Sequence, residues 1–357
     1  MRPVYLLGVF IPLAVALELA GASHTAIFFA AALGVVPTAA LMGKATEELA
    51  AKSGPGIGGL LNVTFGNFPE LVIAFFALLE GLQEVVKASI VGSIIGNVLL
   101  VLGASMLVGG VRRDKQTFNA TAAHAQAGML LLAVAALIMP ALFQLVNGGG
   151  LPPIGTEEVD FGSDLERLSF AVAVVLLASY AAGLLFSLRT HRAVFNPYSE
   201  EHEAEWSVRR SVAMLALAGV LVGLMSEILV GSISATAEDV GLSEFFIGVF
   251  IVAIVGNAAE HWVAVLVAAK NKMDLAVNIA VGSSAQIALF VAPVLVLLSF
   301  VFGDHPMALV FNGYELGAML FAVLIVNFLI QDGESNWFEG VQLLAVYAVM
   351  GVVFYFA

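Results

Sequence analysis

The chain has 357 residues, of which 61% are hydrophobic, 11% charged and none cysteine. A soluble domain has roughly a quarter of its residues charged, so this composition excludes an ordinary cytoplasmic enzyme and leaves a polytopic membrane protein. The formal net charge of −13, from 14 basic against 27 acidic residues, speaks against nucleic-acid binding, and without cysteine no disulfide framework can form.

A membrane-crossing helix needs about 20 mostly apolar residues. On that criterion the chain gives eleven segments, near 3–20, 25–43, 56–82, 84–109, 119–146, 168–189, 211–235, 242–269, 274–302, 307–330 and 337–357. The first has no small-residue cleavage site after it and reads as a retained helix. Lys and Arg concentrate in short cytoplasmic loops. With the N-terminus inside, Arg2, Lys44, Lys52, Arg112, Arg113, Lys115, Arg189, Arg192, Arg209, Arg210, Lys270 and Lys272 fall inside. Only Lys87 and Arg167 fall outside, a division of 12 against 2 that a missed or added helix would scramble. The expected fold is therefore all-α, with eleven transmembrane helices, a cytoplasmic N-terminus and the C-terminus on the opposite side. The loop at about 190–210 is too short for a domain and carries Glu200, Glu201, Glu203 and Glu205 beside His202 and Trp206. A short cytoplasmic helix is expected there, either a merely solvated acidic face or a sensor of cytosolic cations.

The sequence repeats at an offset of 190 residues. Thr46, Glu48 and Gly58 fall on Thr236, Glu238 and Gly248; Gly66, Asn67 and Glu70 fall on Gly256, Asn257 and Glu260. Glu84 falls on Asp274, and Val91-Gly92-Ser93 on Val281-Gly282-Ser283, while Phe118-Asn119 matches Phe311-Asn312 at 193. Each copy holds five helices, an odd number, so the two lie in opposite orientation. Inverted repeats of this kind place transport sites near the membrane midplane. The predicted organisation is an extra helix over 1–22, a first repeat over 23–190, an acidic cytoplasmic linker helix over 191–210 and a second repeat over 211–357.

Two carboxylates lie well inside apolar segments, Glu70 and Glu260. An ionised carboxylate at that depth costs a few kcal/mol, so it is paired, protonated or bound to a cation. A structural role is the lesser reading for one such residue, and far more so for two at equivalent places. Asn67 and Asn257 stand three residues before them, on the same helix face. Gly66 and Gly256, with Pro69 in the first copy, weaken the helices and can free backbone carbonyls. The following helices supply Ser93 and Asn97, and Ser283 and Gln286. Every one of these groups offers oxygen and none is a thiol. Such a set suits a hard cation, Ca²⁺ before Mg²⁺ with Mn²⁺ as an alternative, and disfavours zinc and copper. No phosphate-binding loop is present, so ATP is not expected to drive transport.

These motifs are Gly66-Asn67-Phe68-Pro69-Glu70-Leu71, Gly92-Ser93-Ile94-Ile95-Gly96-Asn97, Gly256-Asn257-Ala258-Ala259-Glu260-His261 and Gly282-Ser283-Ser284-Ala285-Gln286-Ile287. They resemble the two signature repeats of the cation/proton exchanger (CAX) family, part of the Ca²⁺/cation antiporter superfamily. The tail from Asp332 to Gly340 resembles that family's C-terminal motif, and the acidic segment near Glu200 sits where the family carries one. The resemblance implies an eleven-helix antiporter, not an enzyme, that exports cytosolic Ca²⁺ in exchange for protons, with Glu70 and Glu260 in the site and no resident cofactor. A sodium/calcium exchanger of the same superfamily is the rival reading. That branch typically carries hydroxyl residues ahead of Pro-Glu, where this chain has Asn67 and Phe68. A passive cation channel is a weaker rival, since buried paired acids suit an occluded site.

His261 is about 100° around the helix from Glu260 and reads either as a proton relay, since histidine titrates near neutrality, or as packing against helix nine. Glu84 and Asp274 are expected to favour their own helix starts through the dipole. Glu48 and Glu238 read as solvated helix ends or borders of the entrances, and His124 as structural.

Overall fold

The computed structural model describes residues 4–155, 162–190, 205–303 and 305–357. Helix dominates because, in hydrocarbon, each backbone N–H and C=O must be satisfied within its own segment. In chain order the helices are α1 (Val4–Leu19), α2 (His24–Gly66), α3 (Phe68–Leu79), α4 (Gln83–Gly110), α5 (Ala120–Val146) and α6 (Ser163–Thr190). The second half holds α7 (Val208–Gly231), a short α8 (Ile233–Val240), α9 (Glu244–Ala269), α10 (Met273–Ser299), α11 (Gly313–Leu329) and α12 (Trp337–Phe356). Among the described residues eight helices are long and apolar enough to cross a membrane, while α1, α3 and α11 are shorter apolar helices. The chain is an integral, multi-pass membrane protein.

Several boundaries differ from the sequence expectation. The segments expected at 25–43 and 56–82 are not separated by a loop, because α2 remains helical from His24 to Gly66. It is not straight. A Cβ on Gly58 would stand 2.5 Å from the Ala50 carbonyl oxygen, whereas eight residues of straight helix rise about 12 Å. α2 therefore doubles back sharply between these residues. The expected 56–82 helix is broken instead at Asn67 (φ −98°, ψ 20°). Pro69, without an N–H, cannot continue the ladder, and α3 begins around it. At the equivalent place α9 has Ala259 and runs through.

The helix expected from 307 starts only at Gly313, where Asn312 and Glu315 form a reciprocal capping box. Met307 to Phe311 are non-helical yet buried. Their backbone groups are met by side chains: Ser299 Oγ accepts from Met307 N, Ser169 Oγ accepts from Leu309 N, and Lys87 Nζ donates to Val310 O. The helix expected near 211–235 ends at Gly231, and α8 follows after Ser232. The expected linker helix lies mostly outside the described residues, as do Glu200, Glu201, His202 and Glu203. Glu205 is exposed, and the next residue, Trp206, is buried. Its ring lies under Lys44 and Arg210, and its backbone N–H donates to Glu48. Glu48 is thus buried rather than a solvated helix end.

Loops meet at two ends of the bundle. At one, β1 (Gln116–Thr117) pairs antiparallel with β2 (Glu334–Ser335), Gln116 opposite Ser335, and Lys115 pairs with Glu334 at 2.5 Å. Gln116 also donates to Ala268 O and Asn271 Oδ1. At the other, Gln83 donates to His305 O and Thr25 to Asp239. Glu84 and Asp274 do more than favour their own helix starts: they accept from the backbone N–H groups of Gly155 and Asn119 respectively.

Candidate functional site

The break at Asn67 puts Glu70 in the first turn of α3, facing α9. α9 answers with Glu260, four residues after Gly256. The packing is reciprocal. Glu70 Cγ lies 3.2 Å from the point where a Cβ on Gly256 would stand, and Glu260 Oε1 lies 3.4 Å from the same point on Gly66. Each glycine thereby leaves room for the carboxylate of the equivalent motif, and the two acids are near enough to repel one another. Glu70 is buried, and neither of its oxygens is bonded by another described residue. Desolvated, unpartnered carboxylate oxygens of this kind need a cation or a proton.

Amide and hydroxyl groups surround the pair. Asn67 Nδ2 donates to Gln286 Oε1 at 2.5 Å, and Asn67 Oδ1 accepts from Ser283 Oγ at 3.0 Å. Ser283 also lies close to Glu260, and its single hydrogen serves one acceptor at a time. In the equivalent arrangement Asn257 Nδ2 donates to Ser93 Oγ and to Ala253 O, both at 3.0 Å, leaving Asn257 Oδ1 buried and unpartnered. A cavity of about 10 Å³, lined by Glu70, Ser89, Ser93, Ala253, Ile287 and others, adjoins the acids. It has room for one water-sized particle. π-helical turns at Gly96–Val101, Ile247–Val252, Asn278–Gly282 and Ile287–Val291 flank these residues, as such turns often do at functional sites.

All the sequence-derived site residues except the acidic segment thus come together at one place. Asn97 and His261 form a side branch, with His261 Nε2 2.9 Å from Asn97 Oδ1 on α4. Among the described residues no group of three or more His, Asp or Glu side chains assembles. The charged part of the site is the pair Glu70 and Glu260, and its remaining donors are neutral oxygens, which is a hard-cation set.

Sequence reasoning missed two polar clusters. Lys87 and Glu315 are buried together near Glu84, with Glu315 Oε1 unpartnered; the Asn312-x-x-Glu315 capping box was the available signal. Gln126 Nε2 donates to Asn278 Oδ1 at 2.5 Å, and an amide inside each of two apolar segments was the signal for that pair.

Comparison with known proteins is consistent with this geometry. The profile of the sodium/calcium exchanger protein family matches residues 23–189 and 210–356. A Ca²⁺/H⁺ antiporter of Synechocystis is 45% identical over 98% of this chain and 95% of its own length. The Ca²⁺/H⁺ antiporter ChaA of Bacillus subtilis is 45% identical over 97% of this chain and 96% of its own. The solved structure of native YfkE superposes with a TM-score of 0.83 at 40% identity, covering 99% of this chain and all of that one. The chain belongs to the sodium/calcium exchanger protein family, alongside relatives that are named Ca²⁺/H⁺ antiporters.

Proposed function

We propose that this protein is a secondary active Ca²⁺/H⁺ antiporter that exports cytosolic Ca²⁺ by alternating access, with Glu70 and Glu260 as the shared cation and proton site. The observation that carries this reading is the reciprocal seating of each glutamate against the other motif's glycine. With both acids ionised, the empty site holds about two negative charges in a low-dielectric setting, a state expensive to occlude. One Ca²⁺ neutralises it, and so do two protons. Both loaded forms switch between inward-open and outward-open states, whereas the bare form does not. Competition for the same oxygens couples the ions. Asn67, Asn257, Ser93, Ser283 and Gln286 orient the acids and offer neutral oxygens; Asn97 and His261 buttress the site from the side.

The reading includes eleven crossings, built as an extra helix over 1–22 and inverted five-helix repeats over 23–190 and 211–357 around a cytoplasmic linker. Beyond the eight long helices the crossings of this reading are α1, α11, and α3 taken together with the end of α2 that precedes it. Loops assigned to one side bond to one another: 110–119 joins 268–271 and 332–336, whereas Gln83 and Glu84 meet His305 and Gly155. This supports the grouping of loops that the crossings require, while the cytoplasmic N-terminus rests on the distribution of Lys and Arg.

The test is flux in proteoliposomes with ΔpH and Na⁺ gradients imposed separately. Ca²⁺ uptake driven by ΔpH alone supports the proposal; uptake driven by Na⁺ alone identifies a sodium-coupled exchanger. Flux with neither gradient identifies a channel.

A further inference from the structure

The cavity beside Glu70 is lined mainly by aliphatic side chains, and its polar lining comes from Glu70, Ser89 and Ser93. All three residues are buried. Their hydrogen-bonding capacity can be counted. Ser89 Oγ donates its hydrogen to Val86 O at 2.8 Å within its own helix, so only its lone pairs remain to offer. Ser93 Oγ accepts from Asn257 Nδ2 at 3.0 Å, and its own hydrogen is taken by no other described residue. Both oxygens of Glu70 are likewise without a partner among the described residues. The lining therefore presents one hydroxyl donor, a carboxylate acceptor and a hydroxyl acceptor.

One water matches that inventory. It would accept from Ser93 Oγ and donate one hydrogen to Glu70 and the other to Ser89 Oγ. About three bonds are usual for a buried water, and the cavity of about 10 Å³ holds a single one. The arrangement is not duplicated in the other motif. At the 190-residue offset Glu70 answers to Glu260 and Ser93 to Ser283, but Ser89 answers to Ile279. An aliphatic side chain supplies no acceptor, so the two equivalent glutamates have different surroundings. Folding does not explain the Ser89 hydroxyl either, because a serine bonded back to its own helix adds no stability to it.

We propose that Glu70, Ser89 and Ser93 hold one ordered water, and that this water is a ligand of the transported Ca²⁺. Ser89 is then a positioning residue, which fixes an oxygen for an ion it does not itself touch. Ca²⁺ takes about six to eight oxygens, waters included. The two carboxylates and the asparagine oxygens reach the lower end of that range, and a water already held in place extends it. The proposal deepens the shared-site reading above and rests on it for the identity of the ion.

The test is equilibrium binding of radiolabelled Ca²⁺ to the purified protein in detergent, with Mn²⁺ as competitor, for the unaltered chain, S89A and S89V. S89A removes one partner of the water and should weaken Ca²⁺ binding a few-fold. S89V also fills the cavity and should weaken it about tenfold or more, as loss of an outer partner of a metal site does. Mn²⁺ is served by about six oxygens, so S89V should lose more for Ca²⁺ than for Mn²⁺. A packing defect would weaken both ions alike. S89A should also unfold at the same temperature as the unaltered protein, and a lower one would return the hydroxyl to a structural role and overturn the proposal. Equal Ca²⁺ affinity in all three proteins overturns it, and so does an equal loss for both ions. If the unaltered protein binds Ca²⁺ but shows no ΔpH-driven flux, the antiport reading fails while binding still decides the water site. If it binds no Ca²⁺, both are overturned.

Discussion

Glu70 packs against Gly256, its Cγ 3.2 Å from where that residue's Cβ would be. A methyl group at Gly256 must therefore push the carboxylate of the other motif. G256A is expected to weaken apparent Ca²⁺ affinity several-fold without unfolding the protein, and G66A to do so less, since its Cβ would meet Glu260 Oε1 at 3.4 Å, an ordinary contact. G96A is the control, because nothing lies within 4 Å of its Cβ position. Ca²⁺-dependence of uptake measures all three.

This relationship shows how far the sequence reached. The offset of 190 residues identified both motifs, because it compares like with like and needs no coordinates. It gave no contact between them, since nothing local says that Glu70 meets Gly256. Boundaries failed where tertiary bonds replaced helical ones. Met307 to Phe311 look like a helix by hydropathy alone, yet hydroxyls of Ser169 and Ser299 and the ammonium of Lys87 satisfy their backbone. The break at Asn67 was half legible, because Pro69 announced a weakness but not whether it would kink or end the helix.

The amides are expected to tune rather than create transport. N67A removes the partner of both Gln286 and Ser283, and N257A removes the partner of Ser93. Each variant, like Q286A, should raise the Ca²⁺ concentration for half-maximal uptake while retaining proton-coupled exchange. Unchanged affinity in all three would remove these residues from the site.

Protons and Ca²⁺ compete for two carboxylates in this account. Lowering the pH on the Ca²⁺-loading side should raise the apparent KM for Ca²⁺, because protonated acids are no longer ligands. Saturating Ca²⁺ should restore the rate. The sign is fixed: affinity rises with pH on that face. Initial rates across a matrix of pH and Ca²⁺ check it.

Lys87 holds the loop before α11 through Val310 and lies near Glu315 and Glu84. K87M should leave Glu315 buried without its counter-charge and destabilise the protein by about 3 kcal/mol. The double variant K87M/E315Q should lose less, since the orphaned charge is gone. Thermal unfolding in detergent distinguishes the two.

The most direct test of the shared-site account is ΔpH-driven Ca²⁺ uptake by E70Q and E260Q, each reconstituted at matched protein density. Each substitution keeps the side chain's size and removes both an anionic ligand and a proton carrier. The account predicts that either change abolishes uptake, with the other glutamate intact. Uptake near the wild-type rate in either variant would contradict it.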